Sequence, residues 1–202
     1  MSHVKSICVY CGSSSGNHPN FTAQAYRLGE TMAKAGIRLV YGGGTRGLMG
    51  AVAQGVMDRG GDVIGIIPEF LMDKEATKDA LGRLTELVVT EDMHQRKHRM
   101  FEEADAFVTL PGGIGTLEEV VEILTWAQLG KHDKPIVLAN FNGFWNPLTD
   151  LLDHMRRSEF IHTGHRVRPM VISDVEEIVT KVVTASATVA HEEGDAGVIE
   201  KL

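Results

Sequence analysis

The 202-residue chain has only two cysteines, Cys8 and Cys11, too few for a disulfide framework. If the segment around them is extended, positions three apart point to opposite faces. That opposes a shared metal or a ready disulfide, so both read as small buried residues. Nowhere does an apolar run approach the roughly 20 residues that cross a bilayer, and Met1 to Lys5 leads straight into a strand-like segment with no signal-peptide pattern. A cytoplasmic protein is expected. Positive charge is also scarce: 20 Lys and Arg stand against 27 Asp and Glu, a net charge of −7. The global field that nonspecific nucleic-acid binding draws on is therefore missing, although basic residues can still gather around an anion. Apolar residues at 43% and charged residues at 23% exclude wholesale disorder, collagen-like repetition and a coiled coil. The length fits one domain with a layered core.

What is present alternates. Short apolar, β-rich runs recur at Val4 to Tyr10, Arg38 to Tyr41, Asp62 to Ile67, Leu84 to Val89, Ala106 to Leu110, Pro135 to Ala139 and Arg168 to Ile172. Most are continuously apolar, as strands covered on both faces should be. Between them, Phe21, Ala25, Leu28 and Met32, then Leu48, Val52 and Val56, then Val120, Val121, Leu124 and Leu129 keep helical spacing. Strand and helix repeated this often predict right-handed crossovers and a doubly wound, mostly parallel sheet with helices on both sides. The domain is expected to span residues 1–184. Residues 185–202 lose the strand signal and are expected to form a flexible tail. Trp126, Leu129, Phe144 and Trp145 read as ordinary core in preference to an interface.

In such sheets ligands bind at the carboxyl ends of the strands. Three loops there are rich in small residues: Cys11 to Gly16 after the first strand, Gly42 to Gly47 after the second, and Pro111 to Thr116 after the fifth. Glycine lets backbone approach a ligand, and the helix start that follows offers unpaired N–H groups and partial positive charge. Together they suit a phosphate. There is no G-x-x-x-x-G-K-S/T and no G-x-G-x-x-G after the first strand, and Glu118 stands where the pattern begun by Gly113 and Gly115 needs a small residue, so a mononucleotide fits better than a dinucleotide. The candidate phosphate contacts are Gly12, Ser13, Gly43 and Gly44 in the first two loops and Gly112, Gly113, Ile114, Gly115 and Thr116 in the third.

Two further segments carry charge. Met93, Lys97 and Met100 share one side of a predicted helix with Arg96 adjacent, which places basic groups on the border of an apolar stripe, where Arg can grip a phosphate through paired bonds. His94 and His98 have zinc-ligand spacing, but Gln95 replaces the catalytic glutamate of H-E-x-x-H and no third ligand announces itself, so no metal is expected. Glu118, Glu119 and Glu122 crowd the helix after the third loop. Near a helix start they are stabilised by its dipole. One of them would also face the sugar of a bound nucleotide, where an oxocarbenium-like centre needs a negative charge and an oriented water. Periodicity does not choose between Glu118 and Glu119.

Pro111-Gly-Gly-Ile-Gly-Thr-Leu-Glu-Glu119 resembles the P-G-G-x-G-T-x-x-E motif of the LONELY GUY cytokinin-activating phosphoribohydrolases. Cys11-Gly-Ser-Ser, Tyr41-Gly-Gly-Gly with Gly47-Leu-Met-Gly50, Met93-His-Gln-Arg-Lys97 and Thr125-Trp-Ala-Gln-Leu129 resemble that family in order and spacing, over roughly Val4 to Val183. The resemblance implies a Rossmann-like, single-domain homodimer that hydrolyses the N-glycosidic bond of a nucleoside 5′-monophosphate without metal or organic cofactor. It implies that Arg96 and Glu119 form the catalytic pair. Lys97, the run Gly112 to Glu118 with Leu117 inside it, and Thr125 match substrate-binding positions, and Glu75 corresponds to a further contact. The competing expectation is a carrier that binds a nucleotide or the molybdenum cofactor without cleaving it. The older decarboxylase label of this group has no support in the residues, because no lysine context suggests pyridoxal phosphate. The preferred base, plain or N6-prenylated adenine, stays open.

Overall fold

A computed structural model describes residues 4–161 and 167–199. All seven apolar runs are strands: β1 Ser6–Tyr10, β2 Arg38–Tyr41, β3 Val63–Pro68, β4 Glu86–Thr90, β5 Ala106–Thr109, β6 Ile136–Ala139 and β7 Met170–Ile172. They form one sheet in the order β4-β3-β2-β1-β5-β6-β7, and every pairing is parallel. The helices are α1 Pro19–Lys34, α2 Gly47–Met57, α3 Glu69–Glu75, α4 Lys78–Leu81, α5 Met93–Glu102, α6 Ile114–Gln128, α7 Asn146–Arg157 and α8 Val175–Ile199. The short α3 and α4 fall where the sequence shows no clear period.

Alternation along each strand divides the core into two layers. Ile7, Val9, Leu39, Tyr41 and Val108 pack with Phe21, Ala25, Leu28 and Met32 of α1, with Val52 and Val56 of α2, and with Ile178 and Val182 of α8. Cys8, Tyr10, Val40, Ile66 and Phe107 pack on the opposite face with Met100 of α5, Val120 and Ile123 of α6 and Leu148 and Leu152 of α7. Cys8 lies in the second layer and Cys11 in the first, both as buried free thiols, which the opposite-face argument anticipates. α1 and α2 touch through glycine. A Cβ at Gly29 would stand 2.2 Å from the Val52 carbonyl oxygen, and one at Gly55 2.1 Å from that of Tyr26. Any side chain there would force the helices apart.

Of the four large residues read as core, Trp145 is buried and its indole Nε1 donates to the Thr109 carbonyl at 3.2 Å. Trp126 is half-buried. Leu129 and Phe144 are not core: they are 68% and 37% exposed, Leu129 just past the end of α6 and Phe144 just before α7. α8 continues past residue 184, where the sequence reading starts a flexible tail, and residues 200–202 of that tail lie outside the described residues. Among the described residues no helix is long and apolar enough to cross a membrane.

The chain direction reverses at the centre of the sheet. β1, β2 and β3 proceed to one side, and the chain returns to lay β5 against the other edge of β1. Such a switch point opens a crevice at the carboxyl ends of the two central strands. The loops after β1, β2 and β5 meet there.

Candidate active site

The three glycine loops are stitched together. The Gly12 amide donates to the Pro111 carbonyl at 3.1 Å, and the Leu48 amide donates to the Gly12 carbonyl at 3.1 Å. Gly47 has φ +58, and a Cβ there would stand 2.4 Å from the Ser13 carbonyl carbon, so glycine is needed for both conformation and space. Gly43, Gly44 and Gly112 serve the loops themselves. A Cβ on each would run into Ile67, Met49 and Thr116 respectively, and none of the three lines the cavity. Gly113 and Gly115 differ. A Cβ at either would meet nothing within 4 Å, so protein packing gives no reason for glycine at those positions.

Those two glycines open onto a cavity of about 350 Å³ at the switch point, within the size range of small-molecule sites. Of the residues singled out from sequence, Gly12, Ser13, Glu75, Arg96, Gly113, Ile114, Gly115, Thr116, Glu118 and Glu119 line it. The sequence did not single out Tyr10, Cys11, Gly42, Met49 or Leu71 as site residues, and they line it as well. α6 begins at the cavity with Gly113 as its N-cap and no side-chain cap bond. Its first amides therefore lack intrahelical partners and face the opening as an anion seat.

Arg96 comes from the first turn of α5, whose start is fixed locally. The Asp92 carboxylate accepts from the Gln95 amide at 2.8 Å, and the Gln95 side chain accepts from the Glu91 amide at 3.2 Å. The side chain of Arg96 is buried beneath the loops. Nε donates to the Ile66 carbonyl at 3.2 Å, one terminal nitrogen to the Gly42 carbonyl at 3.0 Å, and the other approaches the Met93 sulfur at 3.7 Å. Among the described residues it makes no ion pair within 4 Å, so a buried cation faces the cavity with carbonyls as its hydrogen-bond partners.

Glu119 stands in the second turn of α6. Burial pushes its carboxyl up from 4.5 to about 7, with the Arg96 charge opposing the rise and Glu118 reinforcing it. Glu118 is exposed at the rim of the cavity and ion-paired: Lys97 Nζ donates to Glu118 at 2.6 Å and to Glu122 at 3.1 Å, joining α5 to α6 at the mouth. The two carboxylates that periodicity left equivalent are thus distinct, one half-buried and within the field of a guanidinium, one exposed in an ion pair. Lys97 does not line the cavity, and the half-buried Leu117 packs against the core. Thr125 is exposed, and its hydroxyl donates to the Val121 carbonyl at 2.8 Å. It lies eleven residues beyond the start of α6, which is about 16 Å along the helix axis. Within one chain it does not line the cavity. His94 and His98 are exposed on α5, and among the described residues no three His, Cys, Asp or Glu side chains gather as a metal site.

The family described as "Possible lysine decarboxylase" matches residues 49–182. Cytokinin riboside 5′-monophosphate phosphoribohydrolase LOG1 of Arabidopsis thaliana is 45% identical over 181 residues, covering 90% of this chain and 84% of that protein. LOG4 of the same plant, with the same activity in its name, is 46% identical over 176 residues, covering 87% and 80%. Among solved structures, the molybdenum cofactor carrier protein of Chlamydomonas reinhardtii superposes with a TM-score of 0.67 at 23% identity, covering 90% of this chain and 98% of that one, a likeness of fold alone. The protein TM1055 gives 0.66 at 27% identity, covering 88% and 98%. With about nine-tenths of its length aligned to such relatives and the P-G-G-x-G-T-x-x-E motif placed at the cavity, the chain belongs to the LONELY GUY phosphoribohydrolase family.

Proposed function

We propose that the chain hydrolyses the N-glycosidic bond of a nucleoside 5′-monophosphate, releasing the free base and ribose 5-phosphate. The observation that carries the reading is the pairing of Arg96 and Glu119 in one cavity beside the amide-rich start of α6. The first amides of α6 and the open space over Gly113 and Gly115 take the 5′-phosphate. That anchor lets remote binding energy orient the sugar. As the bond from C1′ to the base nitrogen breaks, its electron pair leaves with the base and positive charge spreads over C1′ and O4′. Ionised Glu119 stabilises that charge and accepts a proton from the attacking water, whose oxygen bonds to C1′; the proton ends on the departing base. Arg96, fixed by carbonyls and lacking a carboxylate partner, fixes the nucleotide and helps the base accept electron density.

The substrate class follows the relatives' names: cytokinin riboside 5′-monophosphates such as N6-isopentenyl-AMP, with plain AMP in the same class. Incubation with AMP and with N6-isopentenyl-AMP, followed by separation of the bases, should show free base and an equal amount of ribose 5-phosphate. A carrier would return both nucleotides intact. The working form is a cytoplasmic homodimer. Val121, Thr125 and Leu129 lie exposed along one side of α6, and a second copy seated there would cover the apolar pair and bring its own substrate within reach of Thr125. Light scattering should then give twice the chain mass of 22.1 kDa. A monomer would remove the role given to Thr125.

A further inference from the structure

A second cavity, of about 300 Å³, opens beside the first and takes no part in the chemistry described above. The two share Gly12, Ser13 and Gly113 as lining. Ser13 and Gly113 are exposed, and a Cβ at Gly113 would meet nothing within 4 Å, so the boundary between the cavities is open at the rim, next to the amides that start α6. A group carried on a phosphate seated there can therefore pass from one cavity into the other.

The walls determine the kind of group. Phe21, Leu48 and Phe144 supply apolar surface, and the rings of Phe21 and Phe144 meet edge to face at 5.8 Å and 84°. Phe21 and Leu48 belong to the core, whereas Phe144 stays partly exposed and is fixed by the turn between β6 and α7. In that turn Asn142 adopts φ +54, a left-handed conformation that costs a residue with a side chain free energy. Asn140 spans it: its side-chain oxygen accepts from the Trp145 amide at 2.8 Å, and its side-chain nitrogen donates to Asn146 Oδ1 at 2.8 Å. The Trp145 ring then packs perpendicular to that of Phe144 at 4.9 Å. An aromatic ring held this firmly loses little freedom when a ligand arrives. Ser15 and Asn17, both exposed, add a hydroxyl and an amide that can donate or accept. No lysine, arginine, aspartate or glutamate lines the cavity, so a second phosphate or a carboxylate would find no cation there, and the group it suits is neutral. Resting on the phosphate seat of the hydrolase reading, we propose that this cavity is a subsite for a neutral planar ring joined to the nucleotide through its 5′-phosphate, with Phe144 as the residue that selects the ring. The protein then binds aromatic phosphodiesters of adenosine as well as the monoester.

The test measures equilibrium binding of AMP and of the methyl and phenyl esters of its phosphate. Both esters lose the same ionisable oxygen, so comparing them isolates the ring from the change in charge. The natural protein is expected to bind the phenyl ester about tenfold more tightly than the methyl ester. That comparison needs no variant. Phe144→Ala should bring the two esters to equal affinity while leaving AMP binding unchanged, and Phe144→Tyr, which keeps the ring, should retain the preference. A purely structural role for Phe144 would weaken all three ligands together. Equal binding of the two esters by the natural protein, a phenyl preference that survives Phe144→Ala, or the failure of both esters to compete with AMP overturns the proposal. Release of adenine is followed in parallel. A phenyl preference that depends on Phe144, with no base released from AMP, would retain the subsite and defeat the hydrolase reading instead; base released from AMP with equal ester binding would do the reverse.

Discussion

Replacing Glu119 by glutamine is expected to lower turnover of AMP by about a thousandfold and, at the same time, to stabilise the fold above neutral pH. Both effects come from one cause. The carboxyl is buried, so ionising it is unfavourable, and its value of about 7 lies above the 4.5 of an exposed carboxyl. The sign follows from proton counting. Between about 4.5 and 7 the folded state holds a proton that the unfolded chain has released. Stability is therefore fully present below the unfolded value, falls as pH climbs through this window and stays lost above it, by at most about 3 kcal/mol. Glutamine never ionises. The melting temperature of Glu119→Gln should match that of the natural protein near pH 4.5 and exceed it at pH 8. The natural enzyme, which needs the charged form, should lose kcat/KM as pH drops below about 7. Near-normal turnover in the variant, or a melting difference independent of pH, would contradict the assignment.

The same burial explains what the sequence can and cannot say about this site. The central strands are legible because they are short, continuous apolar runs, as a parallel sheet covered on both faces demands, whereas the edge strands β4 and β7 are partly exposed. The glycine loops are legible because their position after β1, β2 and β5 follows from strand order. Glu118 and Glu119 are adjacent in sequence, and helical period alone gives neither priority. Only the placement of α5 against α6 shows that Lys97 pairs with Glu118 at the rim while Glu119 faces the Arg96 charge. Leu129 is misjudged for a related reason: its apolar character suits a core, but α6 buries Val120, Ile123, Leu124 and Ala127 and turns Leu129 outward. Gly42 is legible as part of a glycine loop, but its seating of Arg96 is not: the two are 54 residues apart, so that contact exists only in the fold.

Gly42 yields the second large effect. Its φ does not lie in the left-handed region, so alanine suffers no backbone strain there, and the whole penalty is spatial. A Cβ at this position would stand 2.0 Å from a terminal nitrogen of Arg96 and 3.1 Å from its central carbon. The guanidinium must leave the Gly42 carbonyl, to which it donates at 3.0 Å, and swing away from the end of β2. Its remaining anchors, Ile66 and Met93, cannot hold the same orientation once that bond is gone. A displacement of this size at a positioned catalytic group costs about a hundredfold in kcat/KM, so Gly42→Ala should fall toward the activity of Arg96→Ala while the protein stays folded. The double variant separates this cause from general damage. If Gly42 acts only by seating Arg96, adding Gly42→Ala to Arg96→Ala costs nothing more, because the side chain that it displaces is already gone. Two losses that multiply would mean that Gly42 serves the ligand directly, through backbone contact with the bound nucleotide.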